Sequence, residues 1–210
     1  VEIPARIDRL ADTGARVTRL DVIWSDVAPT RPANDADPLD PAYRWGRLDQ
    51  TLSALAAKDI VPILTVYGAP TWATGGKGPD PGNGSVNPWM PDPASYGRFV
   101  GALVRRYNGG FVSPAYAVQP RARHIEVWNE PNLSRYLVPQ FTRGRSVAPR
   151  NYMRLVGAAY ANARAANPRA VVIIGSGGPK STTKSRGPLE FQGHGALAWI
   201  RAIGRNKRLG

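Results

Sequence analysis

Cysteine is absent from this chain of 210 residues, and histidine and methionine occur only twice each. Without cysteine the chain can form neither disulfides nor thiolate metal sites, which does not distinguish the cytosol from the exterior. The histidines, His124 and His194, lie far apart in the sequence and form no ligand pattern, so no metal site is predicted. No apolar run approaches the roughly 20 residues that span a bilayer.

The chain begins Val1-Glu2-Ile3-Pro4, without an initiator methionine or a signal peptide. We therefore expect that the start is trimmed and that any targeting signal lies upstream. With 42% hydrophobic and 20% charged residues, residues 1–210 are expected to form a single soluble domain with a substantial core.

Negative charge is scarce, and the formal net charge is +13. A basic patch can bind phosphate, so this charge raises the possibility of a nucleic-acid partner. However, no aromatic-interleaved basic stripe or nucleic-acid motif is present, and a solvated arginine-rich surface is the better interpretation. No nucleic-acid partner is predicted. The arginines are scattered over several predicted elements and include Arg6, Arg9, Arg47, Arg105, Arg106, Arg123, Arg154, Arg164 and Arg201.

Helical and strand patterns alternate along the chain. A segment with helical periodicity precedes each predicted strand, and a helix containing Leu197, Ile200 and Ile203 closes the chain. This alternation predicts an α/β fold built from parallel βαβ units. Pro62 argues against it, because proline cannot donate to a strand ladder. The predicted strands are residues 15–24, 60–67, 124–127 and 170–174.

The long connections follow the strands, whereas the helix-to-strand links at Gly14 and Lys58-Asp59 are tight. Long loops at the carboxyl ends of the strands are typical of a barrel whose functional site lies on that face. Aromatic side chains in these loops suit the apolar faces of sugar rings, although core packing also explains some of them. They include Trp24, Trp45, Tyr67, Trp72, Trp89 and Tyr136.

The tripeptide Trp128-Asn129-Glu130, followed by Pro131-Asn132, comes directly after the third predicted strand. A barrel strand aims the side chains at its carboxyl end into a shared cleft. Glu130 is therefore a candidate proton donor, and Asn129 a candidate partner for a substrate hydroxyl. The alternative is an ordinary Asn-Glu-Pro turn.

Two other carboxylates are close enough in pattern to compete with Glu130. Asp21 alternates in phase with Arg19, and a structural ion pair between them is favoured over catalysis. Glu126 lies deeper on its strand, where a role in core hydrogen bonding is expected. The segment Gly175–Ser181 lacks the Gly-Lys-Ser order and the following helix that a phosphate loop needs, and no cofactor is predicted.

Three ordered motifs resemble the catalytic barrel of clan A glycoside hydrolases, namely the cellulase-like family five and the β-xylosidase-like family thirty-nine. They are Arg16–Trp24, Leu64–Trp72 and Ile125–Asn132. Gly177-Gly178-Pro179 is similar to the end of the fifth strand in family thirty-nine. The resemblance implies a (β/α)8 TIM barrel of which strands two to five, with their helices, are present.

The same resemblance implies a secreted, retaining glycosidase that acts on β-linked oligo- or polysaccharides. Glu130 would be the general acid/base, Asn129 would bind the 2-hydroxyl, and Arg19 would support the nucleophile. Because Arg19 lies among apolar neighbours, we also expect it to have a carboxylate partner. The residues predicted to bind substrate are Asn129, Arg19, Tyr67, Trp72, Trp24 and Trp128.

The seventh strand carries the nucleophile in this clan, and neither it nor the first strand is found in the chain. We therefore expect a fragment with two open sheet edges that is inactive alone. The alternative is a non-catalytic carbohydrate-binding or scaffold protein that keeps the cleft. A glutamate at the end of a seventh strand beyond Gly210 would favour the enzyme.

Overall fold

The computed structural model describes residues 2–78, 86–115 and 117–205. Within these ranges, six strands form a parallel sheet and an antiparallel hairpin. In chain order they are β1 (Val17–Ile23), β2 (Val61–Tyr67), β3 (His124–Val127), β4 (Phe141–Thr142), β5 (Arg145–Ser146) and β6 (Val171–Ile173). The parallel sheet has the order β1-β2-β3-β6, and β4 pairs with β5. The predicted parallel α/β architecture, with strands ordered as in the chain, is confirmed.

The helices alternate with the strands of the parallel sheet. They are α1 (Ile3–Asp12), α2 (Trp24–Val27), α3 (Gly46–Ala56), α4 (Pro93–Arg106), α5 (Ala148–Ala166) and α6 (Ala196–Gly204), with 3-10 helices at Thr71–Ala73 and Leu189–Phe191. α4 begins with a capped first turn, because the Asp92 carboxylate accepts a 2.8 Å hydrogen bond from the Ser95 amide. α2 and the hairpin are too short to show a period and are not predicted. None of the described helices is long and apolar enough to cross a membrane.

Pro62 lies within β2, where the missing amide hydrogen does not interrupt the sheet. The Val61 amide donates to Arg16 on the β1 side, so the nitrogen of the next residue faces β3. Pairing between β2 and β3 begins only at Ile63, opposite His124. The objection raised by this proline is thus removed by the register.

The two faces of the parallel sheet differ in chemistry. Asp21, Thr65, Glu126 and Ile173 stand opposite one another in register, and they share one face because side chains alternate along a strand. The other face packs against the helices and forms the core, which includes Val22, Leu64, Val66, Ile125 and Val127. Polar side chains are therefore concentrated on the face that the helices do not cover.

Close contact between α4 and α5 depends on a glycine. A side chain at Gly97 would place its Cβ only 2.7 Å from the carbonyl oxygen of Ala158. Real Cβ atoms do not approach backbone oxygens so closely, so Gly97 allows the two helices to approach. This contact supports β2 and β3, because Tyr96 of α4 donates a hydrogen bond to the carbonyl of Val66 and Tyr152 of α5 donates one to the carbonyl of Val127.

Candidate active site

The backbone turns sharply where β3 ends. Trp128 has φ 66° and Glu130 has φ 39°, in the left-handed region that bulky side chains rarely adopt. The surroundings of Trp128 hold this conformation, because its amide donates to Val66 and its indole Nε1 donates to the carbonyl of Tyr136 at 2.7 Å. As a result, Asn129 and Glu130 lie half-buried at the carboxyl edge of the sheet.

Asn132 fixes the loop that follows Glu130. Its side chain is fully buried and donates hydrogen bonds to the carbonyls of Gly178 and His194 at 3.1 and 2.9 Å. Its oxygen accepts a hydrogen bond of 2.6 Å from the Gly178 amide. The Gln140 amide adds a 2.9 Å hydrogen bond to the carbonyl of Pro131. The loop after β3 is therefore joined firmly to the loop after β6.

Glycine is required where the second of these loops passes the candidate acid. A Cβ at Gly178 would lie 3.0 Å from the carboxyl carbon of Glu130 and 2.5 Å from Leu133 Cδ1. Any larger residue would displace one of these side chains. The Glu130 carboxyl group thus sits directly against the loop after β6.

Arg19 organises the polar face below Glu130. Its Nε donates to Glu126 Oε2 at 2.6 Å, its Nη1 to Asp21 Oδ1 at 3.0 Å, and its Nη2 to Asn129 Oδ1 at 2.6 Å. The expected carboxylate partner of Arg19 and the expected ion pair with Asp21 are both confirmed. Because Asn129 Oδ1 accepts from Arg19, its Nδ2 is the group that can donate to a substrate hydroxyl.

Glu126 is an anchor for this network. Its carboxylate also accepts hydrogen bonds from the hydroxyls of Thr65 and Ser176. Burial favours the neutral acid, but the hydrogen bonds from Ser176, Thr65 and Arg19 outweigh it and hold the pKa of Glu126 below its ordinary value. Glu126 therefore has the role in core hydrogen bonding that the sequence predicts, and as an ionised acceptor it is poorly suited to donate a proton.

Asp21 is likewise engaged by its neighbours. Besides the contact with Arg19, its Oδ2 accepts a 3.0 Å hydrogen bond from the Tyr67 hydroxyl. Burial of Tyr67, together with the charge of Asp21, raises the pKa of that hydroxyl far above its ordinary value. Tyr67 is thus a neutral donor that orients Asp21, and only 6% of its surface is exposed.

The positions of two predicted sugar-binding tryptophans require a correction. Trp24 and Trp128 are both 0% exposed, so neither indole offers a face to a substrate. Trp24 stacks on Phe99 with ring centroids 5.2 Å apart, and Trp128 packs edge-on against Tyr96 at 5.6 Å. Both indoles are therefore part of the core behind the sheet.

Other loop aromatics remain accessible. Trp72 is half-buried, with its Nε1 donating to the carbonyl of Ala28 at 2.9 Å. Tyr136 is also half-buried and lies edge-on to Tyr67 at 6.0 Å. Trp89 is half-buried beneath the ammonium group of Lys77, 4.6 Å from its ring centroid. Of the three tryptophans predicted to bind substrate, Trp72 is the one whose ring is partly exposed.

A second polar network, which sequence patterns do not reveal, supports the loop after Glu130. His194 is 4% exposed, with Nδ1 2.8 Å from Gln140 Oε1 and Nε2 2.7 Å from the hydroxyl of Ser146. Since the Gln140 amide nitrogen donates to backbone carbonyls, its oxygen must accept from Nδ1, and Nε2 accepts from Ser146. Burial lowers the pKa of His194 to about 4, so the ring is neutral.

No group of three or more histidine, aspartate or glutamate side chains in the described part of the chain is placed to hold a metal ion. The polar face offers hydrogen-bond donors and carboxylates. Its components are Glu130 and Asn129 at the rim, with Arg19, Asp21, Glu126 and Tyr67 beneath them.

Comparison with known protein families finds no match, and comparison with characterised proteins also finds none. Solved structures do match. A family 39 glycoside hydrolase from Bacteroides cellulosilyticus WH2 aligns with a TM-score of 0.53 and 19% identity, over 83% of this chain and 29% of that one. The GH39 enzyme from Xanthomonas axonopodis pv. citri aligns with a TM-score of 0.53 and 22% identity, over 81% of this chain and 31% of that one. A glucosidase from Croceicoccus marinus aligns with a TM-score of 0.54 and 17% identity, over 83% of this chain and 32% of that one.

The chain spans about a third of the length of these structures, whose coverage runs from 29% to 32%. At 17–22% identity the similarity concerns the fold. The four parallel strands and their helices match a part of each barrel, which confirms the predicted partial TIM barrel and its resemblance to family thirty-nine. The chain thus shares its fold with the barrels of glycoside hydrolases.

Proposed function

We propose that this chain is part of a retaining glycoside hydrolase that cleaves O-glycosidic bonds of β-linked oligo- or polysaccharides. Glu130 is the general acid/base, and the nucleophile is a glutamate outside the 210 residues. The observation that carries the proposal is the placement of Glu130 beside Asn129, whose carboxamide Arg19 holds with its amino group available. Carbohydrate is the partner.

The carboxylates at this edge differ in how many hydrogen bonds they accept from neighbouring side chains. Glu126 and Asp21 accept hydrogen bonds from Arg19 and from nearby hydroxyls. Among the described residues, Glu130 makes no side-chain hydrogen bond or ion pair. A general acid must be able to reach the leaving oxygen, and Glu130 is the carboxyl group here that is not already engaged.

Two chemical steps follow from this assignment. In the first, the external carboxylate attacks the anomeric carbon while Glu130 donates its proton to the departing glycosidic oxygen. In the second, the Glu130 carboxylate removes a proton from water as that water attacks the glycosyl ester, which restores both carboxyl groups. Asn129 Nδ2 would hydrogen-bond the 2-hydroxyl, a contact that strengthens in the transition state.

The decisive experiment is Glu130→Ala in the full-length protein. Hydrolysis should slow most for substrates with poor leaving groups, because a good leaving group departs without protonation. With an activated aryl glycoside, a burst of phenol should precede slow turnover, and azide should restore turnover and form a glycosyl azide of retained configuration.

Glu190→Ala is the matched control, because Glu190 is exposed in the loop after β6. It should leave the leaving-group dependence unchanged. A loss of the same factor on every substrate for Glu130→Ala, without azide rescue, would remove Glu130 from the mechanism and favour the carbohydrate-binding alternative. The proposal also includes secretion, which detection of the protein in the culture medium would test.

A further inference from the structure

The positive charge of the chain is divided unevenly between its two parts. Residues 1–130 contain fourteen basic and fourteen acidic side chains, whereas residues 131–210 contain fourteen basic side chains and a single acid, Glu190. The arginines are spread along the whole sequence, but the acids are not. The entire net charge of +13 therefore arises after Glu130.

Part of this excess is gathered on the two loops that border the candidate active site. Leu133 and Gly193 form a bridge between the loops, and the Ser134 hydroxyl donates to the carbonyls of Glu190 and Gln192 at 2.8 and 2.9 Å. The loops thus form one continuous surface, which we name the basic loop surface. Its basic residues are Arg135, Arg143, Arg145, Lys180, Lys184 and Arg186.

The charges of this surface are not neutralised by neighbouring acids. In the part of the chain that the structure describes, none of the six forms an ion pair. All are exposed except Lys180, which is half-buried. Elsewhere in the described ranges, ion pairs are formed by four basic residues, namely Arg19, Lys58, Arg98 and Arg106. An exposed set of unpaired cations attracts anions, and a cleft beside it concentrates that attraction.

The basic loop surface begins at the candidate active site. Lys180 follows two residues after Gly178, which borders the carboxyl carbon of Glu130. The side chain of Lys180 passes Gly193, where an added Cβ would lie 3.1 Å from Lys180 Cδ and 2.9 Å from the Asn132 carbonyl. A saccharide that reaches from Glu130 past the loop after β6 would meet Lys180 first.

We infer that the basic loop surface binds the anionic groups of an acidic polysaccharide, so that the proposed glycosidase acts on chains that carry carboxylate or sulfate groups. The inference rests on the proposed function. Arginine forks match the oxygens of either group in bidentate pairs. A nucleic acid fits less well, because it would bring a phosphate at every unit against Asp21, Glu126 and Glu130, whereas a saccharide chain can place an uncharged unit there.

The test measures binding by the full-length protein to unsulfated chondroitin, chondroitin sulfate, neutral hydroxyethyl cellulose and double-stranded DNA. At least one acidic saccharide should bind tenfold or more tightly than the neutral polymer, with an affinity that falls as salt rises. Comparison of the two chondroitins distinguishes carboxylate from sulfate recognition. Tighter binding to DNA than to either chondroitin would overturn the inference, as would equal binding to the neutral polymer.

Two variants, each with four substitutions, distinguish binding by this surface from a general effect of the net charge. Removing four of its cations should weaken acidic-saccharide binding at least tenfold, whereas removing four exposed cations elsewhere should change it less than twofold. Equal losses would overturn the inference. The surface variant is Arg135→Gln, Lys180→Gln, Lys184→Gln and Arg186→Gln, and the control is Arg9→Gln, Arg16→Gln, Arg154→Gln and Arg169→Gln.

Hydrolysis by the same full-length protein distinguishes the two proposals. Binding of acidic saccharide without cleavage of any glycoside would support the basic loop surface and contradict the proposed function. Cleavage of neutral β-linked chains in preference to acidic ones would support the function and overturn the inference.

Discussion

At the scale of single residues, the candidate site depends on how one guanidinium group is shared. Arg19 donates to Glu126, Asp21 and Asn129 through three different nitrogens. Each contact uses a different edge of the planar fork, and a lysine ammonium group could not reach all three acceptors. The orientation of Asn129 therefore depends on Arg19, which in turn depends on Glu126.

This dependence predicts the behaviour of Arg19→Lys in the full-length protein. Catalytic efficiency should fall by about 10²-fold on a substrate with a 2-hydroxyl, because Asn129 is no longer held in place. The loss should be much smaller on the matching 2-deoxy substrate, which cannot make that contact. Steady-state kinetics on the substrate pair provide the measurement.

Arg16→Lys is the control for Arg19→Lys, since Arg16 is an exposed arginine just before β1. It should leave both substrates unaffected. Equal losses on the 2-hydroxy and 2-deoxy substrates for Arg19→Lys would show that Arg19 does not act through Asn129.

At the scale of elements, the loops after β3 and β6 hold the site by buried polar contacts. Asn132, Gln140 and His194 are all less than 5% exposed and connect these loops to each other and to the hairpin. The Gln140 side chain and the Ser146 hydroxyl have their hydrogen bonds to the ring arranged for a neutral His194. Protonating Nε2 would remove the acceptor of the Ser146 hydroxyl and leave a buried charge.

His194 should therefore make stability depend on pH. Its pKa is lowered from 6.5 to about 4 in the folded chain, so below pH 6.5 the unfolded chain binds a proton that the folded chain does not. Stability is fully present above pH 6.5 and falls as the pH approaches 4. The loss should reach up to about 3 kcal/mol in the free energy of unfolding.

Denaturant unfolding of the protein and of His194→Gln at pH 7, 5.5 and 4 measures this effect. Glutamine keeps a donor and an acceptor but does not titrate. The difference in the free energy of unfolding between the two proteins should therefore change as the pH falls from 7 to 4. A constant difference across this range would contradict the prediction. Glu126 also loses stabilisation at low pH because its pKa is lowered, but its contribution is present in both proteins.

At the scale of the whole molecule, the fold brings a polar sheet face and two long loops to one edge, while the helices cover the other face. The carboxylates it places there besides Glu130 are Asp21 and Glu126, and both are held by Arg19. Retaining hydrolysis needs a second carboxylate free to attack the anomeric carbon. The 210 residues by themselves do not present such a pair in the described ranges.

The 210-residue chain should accordingly hydrolyse aryl β-glycosides no faster than the uncatalysed background, even at high protein concentration. Release of the aryl alcohol, followed by absorbance, is the measurement. Robust activity that disappears in Asp21→Asn would contradict the prediction and would make Asp21 the second carboxylate.

The order of helices and strands can be read from the sequence, because apolar periodicity is a local property that a short window reveals. The sequence also indicates Glu130, Asn129 and the pairing of Arg19, since a strand end and an alternating strand place side chains predictably. The packing of the folded chain decides that Trp24 and Trp128 are buried, and that the hydroxyls of Thr65 and Ser176 bind Glu126. It likewise decides that His194 supports the Glu130 loop. The residues in these hydrogen bonds are far apart in the sequence: Ser176 lies 50 positions from Glu126, and Thr65 lies 61 positions from it. No local pattern encodes a contact across such a separation.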